Sequence, residues 1–284
     1  NLLIEKEYYF AVRATDAVGN RSDVASAGPL AARFNVTVFG RPGTGPANER
    51  FGNVIDGAGD LDGDGRSDLL IGSVTSQNAY IYFGAADAAD LADGTKRRVT
   101  VISGPANAAF GRSFVVAGDI DGDGRDDIAV SASRAGNGRV YIFKGRTTWA
   151  TSYNADTDAD YTIELDASYL NTRFGESLAR LGKFTGLNAD GMGNEYADAL
   201  AIGASGYGTN RGRVVVVLGK KNFTDASLET VIIDGAPDQA SGLFGDVILG
   251  LGRFYTDAPG TTLAVAATGA STNAGIVYAF HGLT

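Results

Sequence analysis

The chain has 284 residues, 44% of them hydrophobic, with 40 glycines, no cysteine and one histidine; that is length enough for a substantial core, and glycine at about twice its usual frequency favours short strands and tight turns over helices. A formal net charge of −9 at pH 7 argues against nucleic acid or an anionic membrane as a partner. The missing cysteines exclude disulfides and thiol or cysteine–zinc chemistry, and no apolar run reaches the roughly 18 residues that would insert in a membrane.

The chain opens on Asn1 without a signal peptide, as a processed product or a piece of something longer would. Residues 1–30 contain Glu7-Tyr-Tyr-Phe-Ala-Val-Arg-Ala-Thr-Asp, which alternates apolar and polar residues up to a break at Gly19-Asn20. This stretch is similar to the last two strands of a fibronectin type III domain, whose earlier strands are missing here. Two strands make no sandwich core alone. Residues 1–30 therefore read either as the end of a truncated module or as an arm that pairs with another sheet, which would permit self-assembly. Residues 31–284 form the main domain, and its first strand is Ala32-Arg-Phe-Asn-Val-Thr-Val-Phe.

From residue 51 onward the chain repeats. Phe51-Gly, Phe110-Gly, Phe174-Gly and Phe244-Gly each open a unit, at spacings of 59, 64 and 70 residues. Each unit continues to a second apolar strand (Asp68-Leu-Leu-Ile-Gly, Asp127-Ile-Ala-Val-Ser, Asp198-Ala-Leu-Ala-Ile-Gly, Thr262-Leu-Ala-Val-Ala) and a third (Ala79-Tyr-Ile-Tyr-Phe, Arg139-Val-Tyr-Ile-Phe, Arg213-Val-Val-Val-Val, Gly275-Ile-Val-Tyr-Ala). Outer strands that alternate polar with β-branched residues, at Arg97–Ile102, Tyr161–Leu165 and Glu229–Ile233, precede the next Phe-Gly. Four strands per unit is the size of a propeller blade, so the predicted class is an all-β propeller. The last repeat lacks an outer strand and residues 32–39 are an outer strand without a repeat. Their union would close a ring of four blades; the alternative is part of a seven-bladed propeller.

Two repeats carry chemistry. Asp60-Leu-Asp62-Gly-Asp64-Gly-Arg66-Ser-Asp68 and Asp119-Ile-Asp121-Gly-Asp123-Gly-Arg125-Asp-Asp127 crowd carboxylates that repel one another unless a hard cation lies among them. Each loop is predicted to bind Ca2+ through its four aspartates, Asp60, Asp62, Asp64 and Asp68 or Asp119, Asp121, Asp123 and Asp127, with the carbonyl of Arg66 or Arg125. An EF-hand is excluded, since position 12 is Ile71 or Val130 instead of glutamate and a strand follows the loop. Lys183 and Arg253 stand where the first aspartate belongs in repeats three and four. Repeat four is therefore read as metal-free, while repeat three offers Asn188, Asp190, Asn194 and Asp198 as an irregular third site.

Phe-Gly, then D-x-D-x-D-G-x-x-D, then Ile-Gly-Ser or Ile-Gly-Ala, then Gly-x-Val-Tyr-x-Phe resembles the FG-GAP repeat of integrin α-chain propellers over residues 51–282. The resemblance implies metal loops between strands 1 and 2 on a lower face, and partners on the opposite, upper face. Loops predicted there carry Arg134, Tyr207, Asn210, Arg211 and Asn273 as candidate protein or glycan contacts. With His281 as the one histidine, no catalytic triad or histidine zinc site can be built, and no catalytic residue is assigned. Trp149 reads as a packed loop anchor. Weak Ca2+ loops suit millimolar Ca2+ outside cells, so the expected place is extracellular, secreted or at the cell surface, with a bacterial source favoured by the absence of cysteine. The function expected is adhesion or protein–protein interaction; the alternative is the non-catalytic propeller of a secreted carbohydrate-active enzyme.

Overall fold

The fold is given by a computed structural model that describes residues 7–12, 25–31, 50–57, 59–87, 90–91, 93, 95–165, 171–184, 196–221, 229–238, 241–254 and 260–282. It forms two compact units, Asn1–Gly40 with Ala85–Arg97, and Arg41–Gly84 with Arg98–Thr284. In the first unit β1 (Glu7–Val12) and β2 (Ala25–Ala31) pair antiparallel. Their register slips between Tyr8 and Phe10, opposite the Gly28-Pro29 step, where proline has no N–H to give the ladder.

The second unit is a succession of sheets. The first contains β3 (Val54–Gly57), β4 (Leu69–Ser73), β5 (Asn78–Tyr82) and β6 (Val99–Ser103). The next contains β7 (Phe114–Gly118), β8 (Asp127–Ala132), β9 (Arg139–Phe143) and, past a short strand β10 (Ser152–Asn154), β11 (Tyr161–Glu164). The third has β12 (Leu178–Gly182), β13 (Tyr196–Ala204), β14 (Arg213–Lys220) and β15 (Glu229–Asp234), and the last β16 (Phe244–Gly252), β17 (Thr262–Ala267) and β18 (Ile276–His281). Within each sheet these strands pair antiparallel in chain order. The strand predicted at 32–39 to complete the last sheet lies outside the described residues.

Strand β10 was not foreseen. It adds to the first sheet parallel to β6, although it comes from a connection of the second. Three aromatic contacts draw it there: Trp149 lies 5.7 Å from Tyr153 and 6.0 Å from Phe83, and Tyr153 lies 5.9 Å from Phe143. Trp149 is thus an anchor, as predicted, and it joins two sheets.

The middle strands β4, β5, β8, β9 and β14 are buried at nearly every position and mostly apolar because both their faces are covered. On β9, Tyr141 and Phe143 point into a layer with Leu70 and Ile81 of the first sheet, while Val140 and Ile142 point into a layer with Leu200 and Ile202 of the third. On β14, Val215 and Val217 share that second layer, and Val214, Val216 and Leu218 enter another with Leu263 and Val265 of the last sheet. The first strands β3, β7, β12 and β16 neighbour one another from sheet to sheet, the stacking of propeller blades. The Phe-Gly pairs seat this stacking. Phe110, Phe174 and Phe244 are buried, and Gly111 turns the chain at φ 72° where a Cβ would come within 2.7 Å of the Asn78 carbonyl oxygen. The outward side of the last sheet is open, with Val247 and Leu249 57% and Val277 71% exposed.

This layering makes a prediction. Ile142→Ala should cost about 2–5 kcal/mol in urea unfolding, whereas Val277→Ala should cost less than about 0.5 kcal/mol. Equal losses would contradict the assignment of layers.

Candidate metal centres

The two predicted loops connect β3 to β4 and β7 to β8, and each is built by its own carboxylates. Asp60 accepts from the backbone N–H groups of Gly63 (2.8 Å), Asp64 (3.0 Å) and Gly65 (2.8 Å); Asp119 accepts from those of Asp123 and Gly124, both at 2.9 Å. Such side-chain-to-backbone bonds are the ordinary means by which aspartate closes a turn. The last aspartate ties the loop to its sheet. Asp68 accepts from Leu61 N–H (2.8 Å) and Gly84 N–H (2.9 Å), and Asp127 from Ile120 N–H (2.9 Å) and Gly145 N–H (2.8 Å).

Asp60, Asp62 and Asp68 converge so that one carboxylate oxygen of each lies within 4.8 Å of the others, and Asp119, Asp121 and Asp127 do the same. Asp64 and Asp123 stand outside these triads, each held by the guanidinium two residues on, Arg66 or Arg125, at 2.7 Å. One further cation serves each triad: Arg98 reaches Asp62 at 2.7 Å and Lys144 reaches Asp121 at 2.8 Å. Both are steadied over an aromatic ring, Arg98 at 4.5 Å from Phe83 and Lys144 at 5.0 Å from Tyr161. Three carboxylates against one cation leave two negative charges at each loop.

Two further observations accompany that imbalance. Asp62 is only 6% exposed, and its Oδ1 is buried with no hydrogen-bond partner among the described residues, a costly condition for a charged oxygen. Burial, reinforced by the neighbouring aspartates, pushes Asp68 up to about 6 and Asp127 up to about 7 against the opposing pull of their backbone hydrogen bonds. An all-oxygen donor set with two uncompensated charges fits a hard divalent cation.

Each loop is also gripped by the following sheet. Asp60 N–H donates to the Asp126 carboxylate at 3.2 Å while Asp126 N–H donates back to the Asp60 carbonyl at 3.4 Å. Asp198 N–H donates in the same way to the Asp119 carbonyl at 2.9 Å. The carboxylates of Asp126 and Asp198 occupy the space beside Gly59 and Gly118, where a Cβ would come within 2.0 Å and 2.1 Å of them. Arg180 on β12 bridges the two grips, 3.3 Å from Asp126 and 2.7 Å from Asp198. Leu61 inside the first loop is held by Arg146 N–H (2.8 Å) and Trp149 Nε1–H (3.3 Å) of the second sheet.

This register bears on one member of the predicted third site, Asp198. Gly182 pairs with Ala199 as Gly118 pairs with Asp127, so Ala199 holds the place of the last ligand and Asp198 the place of Asp126. Asp198 grips the preceding loop through its N–H and pairs with Arg180 through its carboxylate; Asn188, Asp190 and Asn194 lie outside the described residues. The sequence held a signal. The run from Asp198 to Ala204 is one residue longer than that from Asp127 to Ala132, and counting back from the apolar end would have aligned Asp198 with Asp126.

The predicted partner-face residues separate. Arg134 is exposed and lines a cavity. Tyr207 is corrected as a contact residue, being 6% exposed with the Arg213 guanidinium 3.7 Å over its ring. Arg211 lies 3.9 Å from Asp234, while Asn210 and Asn273 are exposed.

Blades and loops together resemble those of FG-GAP, integrin α-like proteins. Residues 110–143, which contain the second loop, match the FG-GAP repeat family. The chain is 30% identical to integrin alpha-4 of Xenopus laevis over 179 residues, 60% of this chain and 16% of that one. It is 31% identical to integrin alpha-PS5 of Drosophila melanogaster over 161 residues (56% and 15%), and 37% identical to integrin alpha pat-2 of Caenorhabditis briggsae over 102 residues (34% and 8%). It spans about a sixth or less of the length of these relatives.

A pH dependence follows from Asp68 and Asp127. Their folded values lie above the value of about 4 expected in the unfolded chain, so the penalty for charging them is absent below about pH 4 and complete above about pH 7. In a chelator the thermal midpoint should therefore fall between pH 5 and 7.5; a rise over that interval would contradict the burial of free carboxylates.

Proposed function

We propose that the chain is a calcium-binding propeller segment that serves as an adhesion or protein-interaction module outside the cell. One Ca2+ binds in each loop, held by Asp60, Asp62, Asp64, Asp68 and the Arg66 carbonyl, and by Asp119, Asp121, Asp123, Asp127 and the Arg125 carbonyl. The observation that carries this reading is the buried, unpartnered Asp62 Oδ1 inside a triad whose residual charge of two matches a divalent ion. For Asp64 and Asp123 to join the sphere, each turns from its exposed arginine partner, a bond weak enough to exchange. Millimolar affinity, ordinary for extracellular modules, would leave the loops filled outside a cell and empty within it. The ion's task here is structural. It relieves the repulsion inside a turn that the next blade already grips, so the blades keep a fixed mutual geometry and present the loops at their other end to a partner. Similarity to integrin alpha chains in both sequence and blade structure supports that assignment.

Isothermal titration with Ca2+ tests it. Two ions per chain are expected, one in Asp62→Asn and one in Asp121→Asn. At Ca2+ ten times the dissociation constant each site adds ~1.4 kcal/mol to stability, so EDTA should lower the melting temperature without abolishing the fold. Absence of binding heat, together with a melting curve unchanged by EDTA, would overturn the proposal.

A further inference from the structure

At the end of the sheets opposite the metal loops, a cavity of about 540 Å³ opens between the second and third blades, lined by Arg112, Ser133, Arg134, Asn171, Arg173 and Glu176. Three arginines against one glutamate is a local inversion in a chain of net charge −9. Glu176 is already engaged, accepting from Ser205 Oγ at 2.9 Å and lying 3.8 Å from Arg173. Arg112 and Arg134 are exposed and make no ion pair among the described residues. A second cavity of about 320 Å³ adjoins through Arg112 and adds Arg50.

The walls are pre-set. Arg134 N–H donates to the Ala108 carbonyl at 3.0 Å, Arg112 N–H to that of Ala109 at 3.2 Å, and Phe174 N–H to that of Asn137 at 3.1 Å. Arg50 and Arg173, each preceding a Phe-Gly pair, sit at φ 56° and 55°, a left-handed conformation that a bulky residue adopts only where its surroundings fix it. The backbone positions are thus held while the exposed guanidinium groups stay available to carboxylates, to which arginine donates two parallel hydrogen bonds.

We infer that these joined cavities dock an acidic peptide segment of a protein partner, with Arg112 and Arg134 taking its carboxylates. This rests on the interaction-module reading above and names the chemistry of the partner. The acidity of the rest of the chain repels a long polyanion, so the fit is to a short acidic segment. Among the described residues no aromatic side chain lines either cavity to stack on a sugar ring, which favours a peptide over an acidic glycan.

The test uses the Ca2+-loaded chain and a fluorescein-labelled peptide of alternating Asp and Ser, read by fluorescence anisotropy, with an Asn/Ser peptide and an oligogalacturonate as comparisons. Arg112→Gln and Arg134→Gln should each weaken the acidic peptide about 10-fold or more, as expected for losing a charge-assisted bond, and the double variant should abolish binding. Arg253→Gln, an equal charge change on an exposed residue beside the metal-loop end, should leave it unchanged. Ca2+ titration and melting of each variant verify that it is folded. Equal loss in Arg253→Gln, equal binding of the Asn/Ser peptide, or binding of the oligogalacturonate in place of the acidic peptide would overturn the inference. So would no peptide binding by a chain that takes up two Ca2+, an outcome that leaves the calcium reading standing.

Discussion

Repulsion among buried carboxylates is the constraint around which the chain is arranged. Nine residues of hairpin bring three aspartate side chains together in each loop, and at such separations like charges in a partly desolvated site cost several kcal/mol if left alone. The fold meets part of that cost itself. Backbone N–H groups point at the first and last aspartates, and one lysine or arginine from a neighbouring strand meets the middle one. What remains is a charge of two at each loop and, in the first, an oxygen with no donor among the described residues, a requirement that a divalent ion fits.

The same loops are structural joints. Because the second and third sheets are covered on both faces, their middle strands are largely apolar runs that would pack on any similar surface; hydrophobic layers alone specify little about how one sheet turns on the next. The reciprocal bonds between Asp60 and Asp126, the single bond from Asp198 to Asp119, and the Arg180 bridge set that relation at the loop end. At the opposite end the Phe-Gly turns and their cross-loop bonds do so. An ion bound at the first end, as proposed, would therefore also steady the spacing of the arginine-lined cavities at the other.

Much of this was readable in the residues. Strict repetition of Phe-Gly, β-branched runs and polar alternation located the strands between residues 51 and 282, because local pattern and tertiary burial agree there. The loops were equally plain, since four aspartates at fixed offsets have few other uses. Three features were hidden for stated reasons. Strand β10 depends on Trp149, Tyr153 and Phe83, residues far apart in sequence whose stacking no local period records. Asp126 and Asp198 differ from metal ligands by a single register position, and an aspartate looks the same in either place; only pairing with the neighbouring strand separates them. Tyr207 carried the composition of a contact residue, but the ring lies beneath Arg213, a partner six residues along the chain whose direction no sequence pattern gives.

Diffraction from crystals grown in Ca2+, with the anomalous signal measured at long wavelength, addresses the central claim most directly. A peak in each loop, with Asp62 Oδ1 or its counterpart on Asp121 at about 2.4 Å from the ion, is the result this account predicts. Loops without a peak at millimolar Ca2+, with the Asp62 oxygen still unpartnered, would contradict it.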